Sequence, residues 1–219
     1  MFKGLFKTHP KAAVALGALL TGAVLFFTFS DDYVKTFKDN LVPELVGVAV
    51  DLALIVFVLD IIALKQEKKR SRQLEKRARE YLRFIVVNML KNDELFEITK
   101  SALPSIVDYD ANKHDFKFFA SERLRSNEVI DALIVALSRE NTTVNDHIKK
   151  HVETELSSFH SLFPIVAEVS DEHFKIWGRI VYFLTKVSHG EDLASNMITV
   201  LQKIKKFDRH TERVFGKVS

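Results

Sequence analysis

Residues Leu41 to Leu64, LVPELVGVAVDLALIVFVLDIIAL, decide the fold. From Leu45 to Leu64, fourteen side chains are Leu, Ile, Val or Phe. Each contributes roughly −0.3 to −0.6 kcal/mol to membrane insertion, against about +3 for a central Asp. The balance favours a membrane span by a narrow margin. The run also reaches the roughly 17 to 25 residues that a helix needs to cross about 30 Å of hydrocarbon. Towards the N-terminus lies a second apolar block, Ala12 to Phe29, preceded by Lys3, Lys7 and Lys11. The slightly acidic segment SDDYVKTFKDN joins the two. Together they predict a transmembrane hairpin over residues 1–64, with spans at about 12–29 and 43–63.

Charge gives the orientation. Residues 1–11 carry three Lys and no acid, residues 65–79 eight Lys or Arg against two Glu, and residues 80–202 thirteen bases against nineteen acids. Positive charge thus flanks the apolar blocks, and the positive-inside rule places both termini in the cytoplasm. The expected localisation is a bacterial inner membrane, multi-pass. A cleaved signal peptide is the rival for the first block, with Thr28-Phe29-Ser30 as a small-residue cleavage site. A signal core is usually about 7 to 15 residues, shorter than this block. The chain has no cysteine, which agrees with a reducing compartment.

Asp51 lies inside the second block, where a short carboxylate cannot reach the interface and needs a partner, a proton or water. Asp60 lies at the boundary beside Lys65 and reads as interfacial. An antiparallel hairpin sets Thr21 and Gly22 level with Asp51. Gly17, Thr21, Gly22 and Gly47 are small residues that let helices approach closely. They are the candidates, with Asp51, for membrane assembly or a pore, either through an Asp51–Thr21 hydrogen bond or through contact between copies. The bland alternative is a tolerated polar residue.

No Gly or Pro occurs between Val48 and Pro104, so one helix is expected to leave the membrane through a basic juxtamembrane stretch, residues 65–90. Lys65, Lys68, Lys69, Arg70, Arg72, Lys76, Arg77 and Arg79 form a stop signal. They are also candidates for contact with anionic lipid or nucleic acid. Leu74, Ala78, Leu82, Ile85 and Met89 then resume an apolar stripe.

Residues 91–219 read as a cytosolic helical domain of four to six helices without a strand signal. The stripes are Val129-Ile130-Leu133-Ile134-Leu137, then Val144-Ile148-Val152-Leu156-Phe159-Phe163 ended by Pro164, then Trp177-Ile180-Val181-Leu184-Val187, then Leu193-Met197-Val200-Leu201-Ile204. Ser170 before Asp171 and Glu172 has the chemistry of a helix cap, and Gly190 marks that helix's end. A short helix and a loop are expected over Lys91 to Asn127, pinned by Phe116, Phe118 and Phe119. The basic tail from Lys203 is a further place for a negative partner. The fold class is all-α: a two-helix transmembrane hairpin followed by a cytosolic bundle.

Catalytic signatures are missing. Asp108, Asp110 and Asn112 start like a calcium loop, but Lys113 and Phe119 stand where Gly and Glu are needed. His147 and His151 are four apart but lack the Glu of the zinc-protease motif and a third ligand, so they read as a solvated face. No phosphate-binding loop, nucleophile elbow or cysteine nucleophile is present. The sequence therefore points away from an enzyme and implies no metal or cofactor.

The leader MFKGLFKTHPKAA, the hairpin, and NLVPELVGVAVDLALIVFVLDIIALKQEKKR leading into a helical part resemble the two-transmembrane effectors of bacterial anti-phage systems, particularly those encoded beside retron reverse transcriptases. The similarity covers the layout of the whole chain and rests on no diagnostic motif. It implies a toxin held silent in a complex of reverse transcriptase and branched RNA–DNA, released on infection to perturb the inner membrane as a homo-oligomer. One hairpin cannot enclose an aqueous path, so a pore needs several copies. A passive membrane-anchored adaptor or scaffold is the alternative, followed by a small ion-channel subunit.

Overall fold

A computed structural model describes Gly17 and residues 35–100, 123–139 and 142–216. Among these, the chain is all-helical, with α1 Lys35–Met89, α2 Asp93–Thr99, α3 Arg123–Leu137, α4 Thr142–Ser161, α5 Phe163–Ala167, α6 Asp171–Ser188 and α7 Leu193–Phe215. The chain divides into two compact units, Met1–Lys69 and Arg70–Ser219. The 55-residue α1 contributes to both.

In the first unit, the joining segment SDDYVKTFKDN is already part of α1 from Lys35, and the helix runs on through Pro43. An interior proline forgoes one amide hydrogen bond and crowds the preceding turn without forbidding helix on either side. Among the described residues, no helix is long and apolar enough to cross a membrane. Apart from Gly17, the first expected span lies outside the described residues, as do the cleavage site of the signal-peptide alternative, the rejected calcium loop and Phe116, Phe118 and Phe119.

The second unit is built as helical periodicity requires. Ala78, Leu82, Ile85 and Met89 of α1 are buried, as are Val129, Ile130, Leu133 and Leu137 of α3, while Leu74 and Ile134 stay half-buried. Central to the unit is α6, which packs on α4, α5 and α7 and buries Ile176, Trp177, Ile180, Val181, Leu184 and Val187. Fully burying a Leu or Ile side chain contributes about 1.5–3 kcal/mol, so this face dominates the unit's stability. The Trp177 indole donates to the Phe159 carbonyl at 3.1 Å, which satisfies its one polar atom inside the core. The apolar face of α7 is completed by Met197, Val200, Leu201, Ile204 and Phe207, all buried.

Local chemistry sets the boundaries. Helix α4 stops at Ser161, and α5 carries a proline in its first turn, where the missing N–H has no intrahelical partner to lose. Ser170 caps α6 by accepting from the His173 backbone N–H. At its other end Gly190 takes φ +80°. Its N–H reaches the Val187 carbonyl and the Glu191 N–H the Lys186 carbonyl, both at 3.0 Å, so two end carbonyls are satisfied.

Candidate functional site

Of the assembly candidates in the first unit, Gly17, Gly47 and Asp51 are among the described residues. Gly17 and Gly47 are helical and exposed, and a Cβ built at either would meet nothing within 4 Å. Asp51 is exposed, and Thr21 and Gly22 lie outside the described residues. Around Asp51, Val48, Val50, Leu52, Leu54, Ile55, Val58, Leu59, Ile62 and Leu64 are 45–59% exposed. At 100° per residue these positions spread over about two-thirds of the helix circumference, with half-buried Ala53, Val56 and Asp60 on the remainder, whereas a helix packed on a core through one face exposes apolar groups along the other side only sparsely.

Of the basic candidates, Lys65, Lys68, Lys69, Arg70, Arg72, Lys76 and Arg77 are exposed. Arg70 spends its charge on Glu168 at 2.6 Å. Arg79 requires a correction. It is 4% exposed and its Nε lies 3.7 Å from Glu75 Oε1, one turn earlier, so it faces the core and is no lipid or nucleic-acid contact. The helical repeat turns position 79 towards the side that also buries Ala78 and Leu82.

The histidine pair also differs from expectation. His147 Nε2 lies 3.3 Å from the Asn88 carbonyl, and His151 packs edge-on to Phe84 with ring centroids 5.6 Å apart. Both rings are half-buried against the end of α1, not solvated. Burial first, then His147 and Lys91, lower the His151 pKa to about 4. Among the described residues, no group of three or more His, Cys, Asp or Glu could hold a metal ion.

The polar chemistry of the second unit is concentrated instead in a seam between α1, the start of α6, and α7. Arg83 and Asp208 form an ion pair at 2.5 Å, with side chains 2% and 4% exposed. Thr211 donates to Glu75 Oε1 at 2.8 Å. Thr211 Oγ1 lies 3.0 Å from His173 Nε2, and His173 Nδ1 lies 2.7 Å from Ser170 Oγ. His173 is fully buried, against the rings of Phe207 and His210, each 4.6 Å away between centroids. Burial first and then His210 push its pKa down to about 4, against a smaller upward pull from Glu172. Two carboxylates and two guanidiniums thus share the seam with a neutral imidazole, and the charges balance.

Spacing by itself gives no reason to single out these residues as a group. A usable signal exists, because each continues an apolar stripe: Asp208 lies seven after Leu201, Thr211 seven after Ile204, and His173 four before Trp177. A polar residue in a core slot is buried and must find a partner.

No family model, curated protein or solved structure matches the chain.

Proposed function

We propose that the chain is a membrane-anchored helical protein that acts through assembly and docking, with residues 43–63 in the bilayer of a bacterial inner membrane and the helical bundle in the cytoplasm. The observation that carries this reading is the apolar collar from Val48 to Leu64, in which nine large apolar side chains are 45–59% exposed. Water around such a collar costs about 25 cal/mol for each Å² of apolar surface, and hydrocarbon removes that cost. The exposed cations from Lys65 to Arg77 directly after the collar suit an anionic cytoplasmic surface, where each is worth about 1 kcal/mol.

Asp51 favours one version of this reading, a membrane-perturbing effector, over a passive anchor. Its carboxylate is exposed within the collar, and in lipid it would be costly unless other copies or a water-filled path surround it. Self-association through Asp51 would supply that surrounding. The resemblance to retron-encoded effectors supports the same version, with reverse transcriptase and branched RNA–DNA as the restraining partners.

Induced expression with a membrane-potential dye, alongside cell fractionation, tests the proposal. The effector version expects the chain in the detergent-extracted fraction and depolarisation that Asp51→Leu abolishes. Membrane retention with an undisturbed potential leaves the adaptor version. Recovery of the full chain in the soluble fraction without detergent overturns both.

A further inference from the structure

His173 is held at both ring nitrogens. The single hydroxyl hydrogen of Thr211 is committed to Glu75 Oε1, so Thr211 Oγ1 accepts from His173 Nε2–H. Nδ1 is then bare, and accepts from the Ser170 hydroxyl, whose oxygen accepts the His173 backbone N–H in turn. The chain of bonds runs one way, Ser170 to His173 to Thr211 to Glu75, and it fits one tautomer of the neutral ring. A second ring proton would point at Ser170 Oγ and oblige the serine hydroxyl to turn its own hydrogen away from the ring.

The charged groups around the ring come from three helices. Helix α1 supplies Glu75 and Arg79, with Arg83 farther along the seam. Helix α7 supplies Asp208, which pairs with Arg83, and His210, whose Nδ1 takes a bond from Arg213 at 3.1 Å. Helix α6 supplies Glu172, paired with Lys206 at 2.9 Å. Every carboxylate near the ring is already matched by a cation: Glu75 by Arg79, Asp208 by Arg83, and Glu172 by Lys206. An imidazolium at this place would be surplus charge in a closed site.

We propose that His173 is a proton-operated latch: its protonation in mild acid releases the Arg70–Met89 part of α1 and the end of α7 from each other, while α4 and α6 remain packed. The packing of α4 on α6 rests on Trp177, Phe159 and an apolar face that carries none of the seam's ion pairs. The seam ties α1 to α7 across 125 and 136 residues of sequence through Arg83–Asp208 and Glu75–Thr211. It therefore opens as a unit when an unmatched charge is placed on the buried ring. With the ring held near pKa 4 in the closed form and 6.5 in the open form, acidification to pH 5 favours opening by about 30-fold. The inference does not depend on the membrane placement.

Hydrogen exchange of the full chain in detergent micelles, corrected for intrinsic rates, tests it between pH 8 and pH 5. Protection in Arg70–Met89 and the second half of α7 should fall about 30-fold at pH 5 and lie below that of α4 and α6 at both pH values. His173→Gln, which keeps an N–H for Thr211 and never charges, should lose that dependence. His151→Gln, which changes the other buried ring, should keep it. Opening of the His173→Gln variant like the parent, or protection in Arg70–Met89 and the second half of α7 equal to that of α4 and α6 at pH 5, overturns the proposal. Should His173→Gln not fold, the nitrogen shifts of the parent's His173 decide: the Nε2–H tautomer at pH 8 with titration well below 6.5 is expected, and a ring titrating near 6.5 overturns it.

Discussion

Asp208→Asn removes one charge from the Arg83–Asp208 pair and keeps the size of the side chain. The two side chains are 2% and 4% exposed, so water screens the pair poorly. At a charge separation of about 4 Å and an effective dielectric of about 20, the lost attraction is about 4 kcal/mol. Removing one partner of a buried pair costs about 3–5 kcal/mol, because the Arg83 guanidinium stays in the core without the opposite charge. A domain of this size has about 5–15 kcal/mol of stability in all, so the effect is large. Trp177, the single tryptophan, lies beside Phe207 at 6.4 Å between centroids, one residue before Asp208, and its emission reports unfolding of this region. Denaturant unfolding followed by Trp177 emission should show the midpoint of Asp208→Asn moving down by the equivalent of about 3–5 kcal/mol. Replacing both partners, Arg83→Met with Asp208→Leu, should return most of the loss, since a matched apolar pair of similar volume is often neutral or stabilising. A single substitution costing under about 1 kcal/mol, or a double one costing as much as the single, would refute the view that charge balance governs the seam.

Four further outcomes follow from the same packing. Because the folded pKa of His173 is depressed to about 4 from 6.5, its stabilisation is complete above pH 6.5 and is lost as pH falls towards 4. Unfolding free energy should therefore drop by about 2 kcal/mol between pH 8 and pH 5 from this fully buried ring, and denaturant melts at both pH values check it. Leu201→Ala removes a fully buried side chain on α7 and should cost about 2–5 kcal/mol in the same melts. Ser170→Ala deletes the α6 cap and the donor to His173 Nδ1, and should cost about 1–2 kcal/mol, with exchange rising first at the start of α6. Gly190→Ala places a Cβ at φ +80° and should lower stability by about 1 kcal/mol, read from the thermal midpoint.

The apolar stripes were legible in the sequence because a helix brings every third or fourth residue to one side. Val129, Ile130, Leu133, Trp177, Ile180, Leu184, Val200, Leu201 and Ile204 are buried for that reason. The Ser170 cap and the Gly190 stop were legible because each is fixed by the chemistry of one or two residues. Arg79, His147 and His151 were misread for a shared reason. Their residue type suggests solvent, while their place on the helix turns them towards Glu75, Asn88 and Phe84.

What the sequence determined by itself is local: the helical periods, their caps and stops, and the apolar run from Val48 to Leu64. Those depend on residues within a few turns of one another. The tertiary structure alone decided that Glu75 meets Thr211 and that Arg83 meets Asp208. A period tells which side of a helix is covered, but the covering residue comes from more than a hundred positions away and is chosen by how the helices cross.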